Sequence, residues 1–348
     1  MKIVVIAGGL SPERDVSLGS ASLIANALID TGHRVCLADL YRGVETTDFE
    51  ALFFDSSTKK RYEYTIPMEE PDLNQLKAET DNGDSLIGKH IIPLCQYADL
   101  VFIALHGDIG ENGKLQAVFD AFGILYTGTG YIGSLLAMDK HIAKQFMAWG
   151  GVHTPQWELL DAPFEDTVEA VSNVGFPCVI KPRSCGSSVG VSMVNSMEEF
   201  QSAMEYAQKY EDSVLIEQKI EGREFSIGVL AHQALPLIEI IPNEGFFDYK
   251  NKYQPGFTQE ICPAAVPEEI AVRMQHTALC VHKLLSLGSY SRIDFILDEN
   301  NDMFCLEANT LPGMAPTSLF PQEAKAAGIS YNELCDRIVN IALGEQTC

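Results

Sequence analysis

Four residues between Ser291 and Leu319 carry the clearest chemistry in the chain: Arg292, Asp294, Glu307 and Asn309. Side chains alternate faces along a strand, so Arg292 and Asp294 project together while Ile293, Phe295 and Leu297 project the other way. Glu307 and Asn309 repeat the pattern on one face, with Leu306 and Ala308 on the other. Asp298-Glu299-Asn300-Asn301-Asp302 reads as a turn, which predicts an antiparallel hairpin. One sheet face then gathers two carboxylates, an amide and a guanidinium. Hard oxygen donors from few residues, with room left for phosphate oxygens, suit Mg²⁺. Polar faces are mostly just solvated, but here the opposite face is apolar, which marks a covered sheet. Leu311-Pro312-Gly313 follows at once. The reading is a metal site.

Other segments could hold phosphate. Gly186-Ser187-Ser188-Val189-Gly190 needs tight backbone geometry and exposes amide N–H groups, with Lys181 at its mouth. Alone it is only a turn, and no GxxxxGK[ST] run occurs. Val214 to Ile220 reads as a strand whose backbone could meet an adenine edge, with Glu224 placed to accept from a ribose hydroxyl. Phe246 to Tyr253 combines aromatics and lysines in a loop that could close over phosphates and exclude water. Gly128-Thr129-Gly130-Tyr131-Ile132-Gly133 matches GxGxxG. A dinucleotide site also needs an acidic residue ending the next strand about 20 positions later. Glu158 is near that spacing, but no clean apolar strand precedes it, so a loop between domains is the better reading.

These groups need scaffolding. Lys2 to Ala7 is an apolar run ending in Gly8-Gly9, and a helical pattern follows from Val16 to Leu28, with Ser11-Pro12 as its start signal. Strand, glycine turn and helix open a doubly wound parallel-sheet α/β domain. Residues 41–91 are polar and weakly periodic, an insertion within that domain. Ala98 to Leu105 and Gly123 to Thr127 read as strands, Ser134 to Ala148 as one helix, Pro177 to Lys181 as a strand and Glu268 to Leu287 as a helix. Glu13 and His106 both follow apolar strands of the first domain, where ligand crevices of open α/β sheets lie.

The 348 residues allow two or three domains, and 46% hydrophobic content supports real cores. The net charge of −24 repels nucleic acid and anionic membranes, so an anionic substrate requires a local concentration of lysine and arginine. No run reaches the length of a membrane span, and Met1-Lys2-Ile3 leads straight into a strand rather than a signal peptide. Nine cysteines, scattered singly, predict reduced thiols in the cytoplasm rather than a disulfide framework or a zinc site.

Taken in order, the segments resemble the D-alanine–D-alanine ligases of the ATP-grasp superfamily. The resemblance runs through Gly8 to Ser17, His106 to Gln116, Met138-Asp139-Lys140, Lys181 with Gly186 to Gly190, Glu217, Lys252-Tyr253, Arg292-Ile293-Asp294 and Glu307-Ala308-Asn309. It covers nearly the whole chain, and HGxxGENGxLQ with RID…EANTxPG is specific. It implies a two-lobed ATP-grasp fold after the first domain, divided as 1–128, 129–217 and 218–348. It also implies that ATP and two Mg²⁺ (or Mn²⁺) ions serve the joining of two D-alanines in a cytoplasmic homodimer. Lys140, Lys181 and Lys252 would hold ATP phosphates, and Glu217, Lys219, Ile220 and Glu224 the adenosine. Asp294, Glu307 and Asn309 would ligate the metals. Glu13 would bind the first ammonium with His106 close by, and Ser187, Tyr253 and Glu13 would link the two substrates. Arg292 and the Gly313 amide would stabilise the oxyanion, and Ser318 and Leu319 would receive the second carboxylate.

The chain departs from the family pattern at Ser289, Cys305 and Cys185, the last inside the phosphate loop. A D-Ala–D-Ser ligase is the near alternative, and a D-lactate ligase a lesser one because the Lys252-Tyr253 pair is kept. A nicotinamide-dependent oxidoreductase resting on Gly128 to Gly133 and a nonenzymatic ATP-binding module are the readings from other classes.

Overall fold

The computed structural model describes residues 1–67, 69–162, 167–186, 188–242 and 258–344. The first domain rests on three parallel strands, β1 (Lys2–Ala7), β2 (Arg34–Asp39) and β3 (Leu100–Ile103), in the order β2-β1-β3. Every β1 residue after Lys2 is buried, as a parallel strand covered on both faces requires. Helix α1 (Arg14–Asp30) crosses over from β1 to β2. It starts three residues after Ser11, with Glu13 as its cap residue, and the Ser11 hydroxyl accepts from the Glu13 N–H at 3.1 Å. The predicted strand 123–127 is reduced to a parallel bridge between Tyr126 and Val101.

Residues 41–91 contain little regular structure beyond α2 (Leu73–Glu79) and two short 3₁₀ turns. They are pinned to the domain by specific bonds. Asn26 and Tyr62 exchange hydrogen bonds, and the Tyr62 hydroxyl donates to the Val35 carbonyl at 2.9 Å. Helices α3 (Ile91–Tyr97), α4 (Asp108–Glu111) and α5 (Lys114–Ala121) complete this part.

The predicted single helix over 134–148 is two: α6 (Tyr131–Met138) and α7 (Lys140–Trp149). Asp139 breaks the run. Its backbone is extended, and its side chain caps α7 by accepting from the Ile142 N–H at 3.0 Å, which fixes a new helix start. Lys140 thereby becomes the first residue of α7.

The central sheet is antiparallel, β4 (Trp157–Asp161), β5 (Cys178–Pro182), β6 (Ser192–Val194) and β7 (Ser213–Gln218) in the order β4-β7-β5-β6. Helices α8 (Thr167–Val174) and α9 (Met197–Ala207) cover one face. The third sheet runs β11-β10-β8-β12-β13, from β8 (Arg223–Leu230), β10 (Ile238–Pro242), β11 (Thr258–Ile261), β12 (Tyr290–Leu297) and β13 (Met303–Asn309), with β9 (Gln233–Ala234) beside β8. Phe225, Ile227, Ile293, Phe295 and Cys305 pack on one face against Met274, Ala278 and Val281 of α10 (Glu268–Leu284), together with Ala143 and Met147 of α7. After β13 come α11 (Leu319–Ala326) and α12 (Tyr331–Ala342), and the latter returns to the core of the first domain. Among the described residues no helix is long and apolar enough to cross a membrane.

Candidate active site

The hairpin forms as the alternation predicts. Arg292 lies directly opposite Asn309, and Asp294 opposite Glu307. One expectation fails. The register slips after Asp294, so that Phe295 faces Cys305 and Leu306 is the extra residue of a β-bulge. Leu306 therefore lines the cavity beside Glu307 and Ile296, while Cys305 and Ala308 enter the core.

On the open face the Arg292 guanidinium grips Asp294 with two bonds, Nε to Oδ1 at 2.9 Å and Nη2 to Oδ2 at 2.7 Å, and Asn309 Nδ2 donates to Oδ2 at 3.0 Å. Burial would draw the Arg292 pKa down, but the carboxylates of Asp294 and Glu307 raise it above the usual arginine value. Two carboxylates and an amide oxygen on one sheet face are a donor set that fits a hard divalent cation whose remaining positions are filled by phosphate and water.

A cavity of about 570 Å³ runs between the central and third sheets, from this hairpin past Lys140 and Lys181 to Glu217, Lys219, Ile220 and Glu224. Lys140 Nζ donates to the Cys185 carbonyl at 2.6 Å and stands 3.7 Å from Glu307 Oε2. It bridges the phosphate loop and the hairpin. The Arg183 guanidinium pairs with Asp139 at 2.6 Å, and Glu211 accepts from the Ser184 N–H at 2.7 Å, so the loop's entry is clamped from two sides.

Deeper in, Glu217 sits between two ammonium groups, Lys181 at 2.8 Å and Lys144 at 2.6 Å. Burial alone would push the Glu217 carboxyl up; the two lysines outweigh it and hold it below the usual range. Lys144 is 1% exposed and also donates to the Thr154 hydroxyl and the Pro155 carbonyl. Burial lowers its pKa to about 8 despite Glu217. Sequence reading missed Lys144. The available signal was its place on the inner face of α7, with Lys140, Ala143 and Met147.

Beside the hairpin, outside the lining of that cavity, stand residues of the first domain. Glu13 and His106 are 9% and 8% exposed. Gly107 has φ of +69°, and a Cβ there would come within 2.9 Å of Glu13 Oε2, so the loop after His106 lies against that carboxylate only because residue 107 is glycine. Burial lowers the His106 pKa, and its Nε2 has no hydrogen-bond partner among the described residues. Glu111, also overlooked, accepts from the Gly107 N–H at 2.9 Å and lies 3.9 Å from where a Gly186 Cβ would stand. Burial, reinforced by the Glu13 charge, pushes its carboxyl up to about 8. The HGDIGENG segment thus lies against Glu13 and close to Gly186 of the glycine-serine loop.

Ser318 is the cap residue of α11, and Leu319, the first residue of that helix, has a buried side chain. A Cβ on Gly313 would lie 2.9 Å from the Ser318 hydroxyl, so the two approach closely. Ser187, Lys252, Tyr253 and the proposed lid lie outside the described residues. The Gly128–Gly133 motif is no open cradle. Gly128 N donates to Ser289 Oγ at 3.0 Å, Gly288 N donates to Thr129 Oγ1 at 2.9 Å, and a Gly133 Cβ would strike the Ser286 carbonyl at 2.4 Å. Packed backbone fills the space a pyrophosphate would need, and Ser289, a departure from the pattern, supplies one of the contacts.

A nucleotide cavity between two antiparallel sheets, with lysines at its base and an acidic hairpin at its end, defines an ATP-grasp protein. The family model described as D-ala D-ala ligase N-terminus matches residues 2–129, and that described as D-ala D-ala ligase C-terminus matches residues 145–340. D-alanine–D-alanine ligase of Pediococcus pentosaceus is 42% identical, over 99% of this chain and 98% of that protein. The Lacticaseibacillus casei enzyme of the same name is 40% identical, over 98% and 95%. The crystal structure of D-alanine–D-alanine ligase from Bacillus anthracis complexed with ATP aligns with a TM-score of 0.77 at 27% identity, covering 99% of this chain and 98% of that one. The VanG D-Ala:D-Ser ligase from Enterococcus faecalis aligns at 0.76 and 27%, covering 98% and 99%. The chain belongs to the D-alanine–D-alanine ligase family.

Proposed function

We infer that this enzyme joins two D-alanines to D-alanyl-D-alanine through a D-alanyl phosphate, with release of ADP and phosphate, for peptidoglycan precursor synthesis. One observation carries the reading: a single cavity has Lys140 and Lys181 at its base and the Asp294–Glu307 hairpin at its end, and the buried Glu13 and His106 of the first domain lie near that hairpin's Arg292. In this reading Lys140 and Lys181, with Lys252, hold the ATP phosphates, while Lys219, Ile220 and Glu224 border the adenosine. Glu217 holds Lys181 in place for the phosphates. Glu13 takes the ammonium of the first D-alanine beside neutral His106, and Ser187 and Tyr253 link the two substrates. Arg292 and the Gly313 N–H stabilise the developing oxyanion, and the start of α11 at Ser318 and Leu319 takes the second carboxylate.

Asp294, Glu307 and Asn309 would hold Mg²⁺ or Mn²⁺, whose chemistry is to neutralise charge on the transferring phosphoryl group. The division 1–128, 129–217 and 218–348 puts amino-acid recognition on the first unit and the nucleotide between the other two. The eight cysteines among the described residues are free of disulfides, which suits the cytoplasm. A homodimer is the proposed assembly, with the exposed apolar side chains Phe122, Leu125, Tyr131, Ile132 and Leu135 available to cover.

The test is incubation with ATP, Mg²⁺ and D-alanine, D-serine or D-lactate, singly and in pairs, with phosphate release and product mass read together. D-alanine alone should release phosphate and yield the dipeptide. Absence of D-alanine-dependent phosphate release would overturn the assignment, and a mixed dipeptide dominating when D-serine is added would move it to the D-Ala–D-Ser reading.

A further inference from the structure

Glu323, on α11, is 0% exposed, and its carboxylate faces the Gly228 N–H and the Ser226 hydroxyl, with no ion pair to a cation among the described residues. Its position is fixed by the sheet below. A Cβ on Gly228 would come within 2.3 Å of Glu323 Oε2 and 2.7 Å of Phe320 Cδ2, so the carboxylate occupies the space a side chain at 228 would need. Gly228 lies directly opposite Arg292 in the β8–β12 register, and Ser226 opposite Asp294. Directly opposed residues share a face with Cβ atoms about 5 Å apart, which puts Glu323 Oε2 within about 8 Å of the Arg292 Cβ. A guanidinium spans that distance. Burial pushes the Glu323 carboxyl well above its usual range, and the Arg292 charge is the largest influence opposing it.

Arg292 already has a carboxylate, but it is the wrong one to keep. Its two bonds to Asp294 use both oxygens of a residue that the proposed function assigns to the divalent cation. Metal and guanidinium then compete for one carboxylate.

We propose that Glu323 is a positioning residue that accepts Arg292 when the cation takes Asp294, keeping the guanidinium on the reacting face. This rests on the function proposed above. With Glu323 replaced by a neutral side chain, the carboxylates left near Arg292 are Asp294 and Glu307, both of the proposed metal set, so the guanidinium stays on Asp294 and metal binding weakens.

The experiment uses the full-length protein with ADP and measures Mn²⁺ affinity by electron paramagnetic resonance, alongside kcat and KM for D-alanine. Glu323→Gln should weaken Mn²⁺ binding about tenfold, the scale of a charged hydrogen bond, and lower kcat. In an Arg292→Met background the same substitution should change Mn²⁺ affinity less than twofold, because the competitor is gone. Glu323→Leu, of similar volume and free of the buried charge, is the second variant and should behave alike. Unchanged Mn²⁺ affinity, or an equal loss in both backgrounds, overturns the proposal. A wild type that neither binds Mn²⁺ nor releases phosphate with D-alanine overturns the function beneath it instead.

Discussion

Replacing Lys144 with methionine should destabilise the central sheet region and weaken ATP together, for one electrostatic reason. The substitution keeps most of the side-chain volume and removes an ammonium 2.6 Å from Glu217, 2.6 Å from the Thr154 hydroxyl and 3.2 Å from the Pro155 carbonyl. Removing one partner from a buried ion pair costs about 3–5 kcal/mol. Lys181 remains 2.8 Å from Glu217, so the lower end, about 3 kcal/mol, is expected near neutral pH. The remaining lysine is then the sole counterion of Glu217 and less available to phosphate, so KM for ATP should rise by about tenfold with kcat falling less. The pH dependence carries a sharper signature. With Lys144 at about 8 in the fold and 10.5 as its model value, the unfolded chain binds more protons between those limits. Stability conferred through this residue therefore rises with pH across that window, by about 1.4 kcal/mol per unit. The methionine variant lacks this slope, so the gap between the proteins should widen from pH 8 to 10. Urea unfolding followed by Trp157 fluorescence is the assay, because the Lys144 ammonium lies 5.4 Å from that ring. Trp149, 84% exposed, is replaced by phenylalanine in both proteins to silence the other tryptophan. A loss below about 0.5 kcal/mol, the scale of an ordinary surface substitution, or a gap that stays constant with pH, would refute the reasoning.

Asp294→Asn should abolish turnover and weaken Mn²⁺ binding while circular dichroism stays native; wild-type rates at the same Mg²⁺ concentration would remove it from the metal set. Glu13→Gln should lower kcat/KM for D-alanine by about a hundredfold, since it removes the buried carboxylate proposed to partner the substrate ammonium, and should leave ATP affinity intact because Glu13 belongs to the other domain. L-alanine releasing phosphate as fast as D-alanine would count equally against that subsite. Burial raises the Cys185 pKa, with Glu211 adding to the effect, so its thiol should alkylate more slowly at pH 7 than that of exposed Cys280. Faster labelling at Cys185 would show an activated thiol in the phosphate loop.

Much of the site is legible because it is local. Arg292, Asp294, Glu307 and Asn309 share a face by alternation and by one turn, and both are written in consecutive residues. The bulge at Leu306 is different. One inserted residue is set by how β13 must pair with β12 while its core face stays filled, and no local pattern announces it. The break at Asp139 had a local signal, an aspartate three residues before the Ile142 N–H it caps, but the apolar periodicity on both sides masked it. The lid readings around Lys252-Tyr253 lie outside the described residues, so they stand on the residue pattern and the resemblance.

The missed residues share one physical origin. Lys144, Glu111, Glu211 and Glu323 are ionisable groups that meet other parts of the site rather than a substrate: Lys144 pairs with Glu217, Glu111 and Glu211 accept from the Gly107 and Ser184 N–H groups, and Glu323 lies over Gly228. A protein with net charge −24 that must gather polyphosphate cannot leave its lysines and arginine bare in a buried cleft, where each would lose its proton or repel the next. Each is instead set against a specific anion: Lys181 and Lys144 against Glu217, Lys140 beside Glu307, Arg292 on Asp294. The counterions keep the cations charged and aimed before substrate arrives, and phosphate then takes over part of each pairing. The cations Lys140, Lys181 and Arg292 are visible in sequence motifs. The anions Glu217, Glu307 and Asp294 stand in those motifs too, but which cation each one holds is set only when the sheets are brought together.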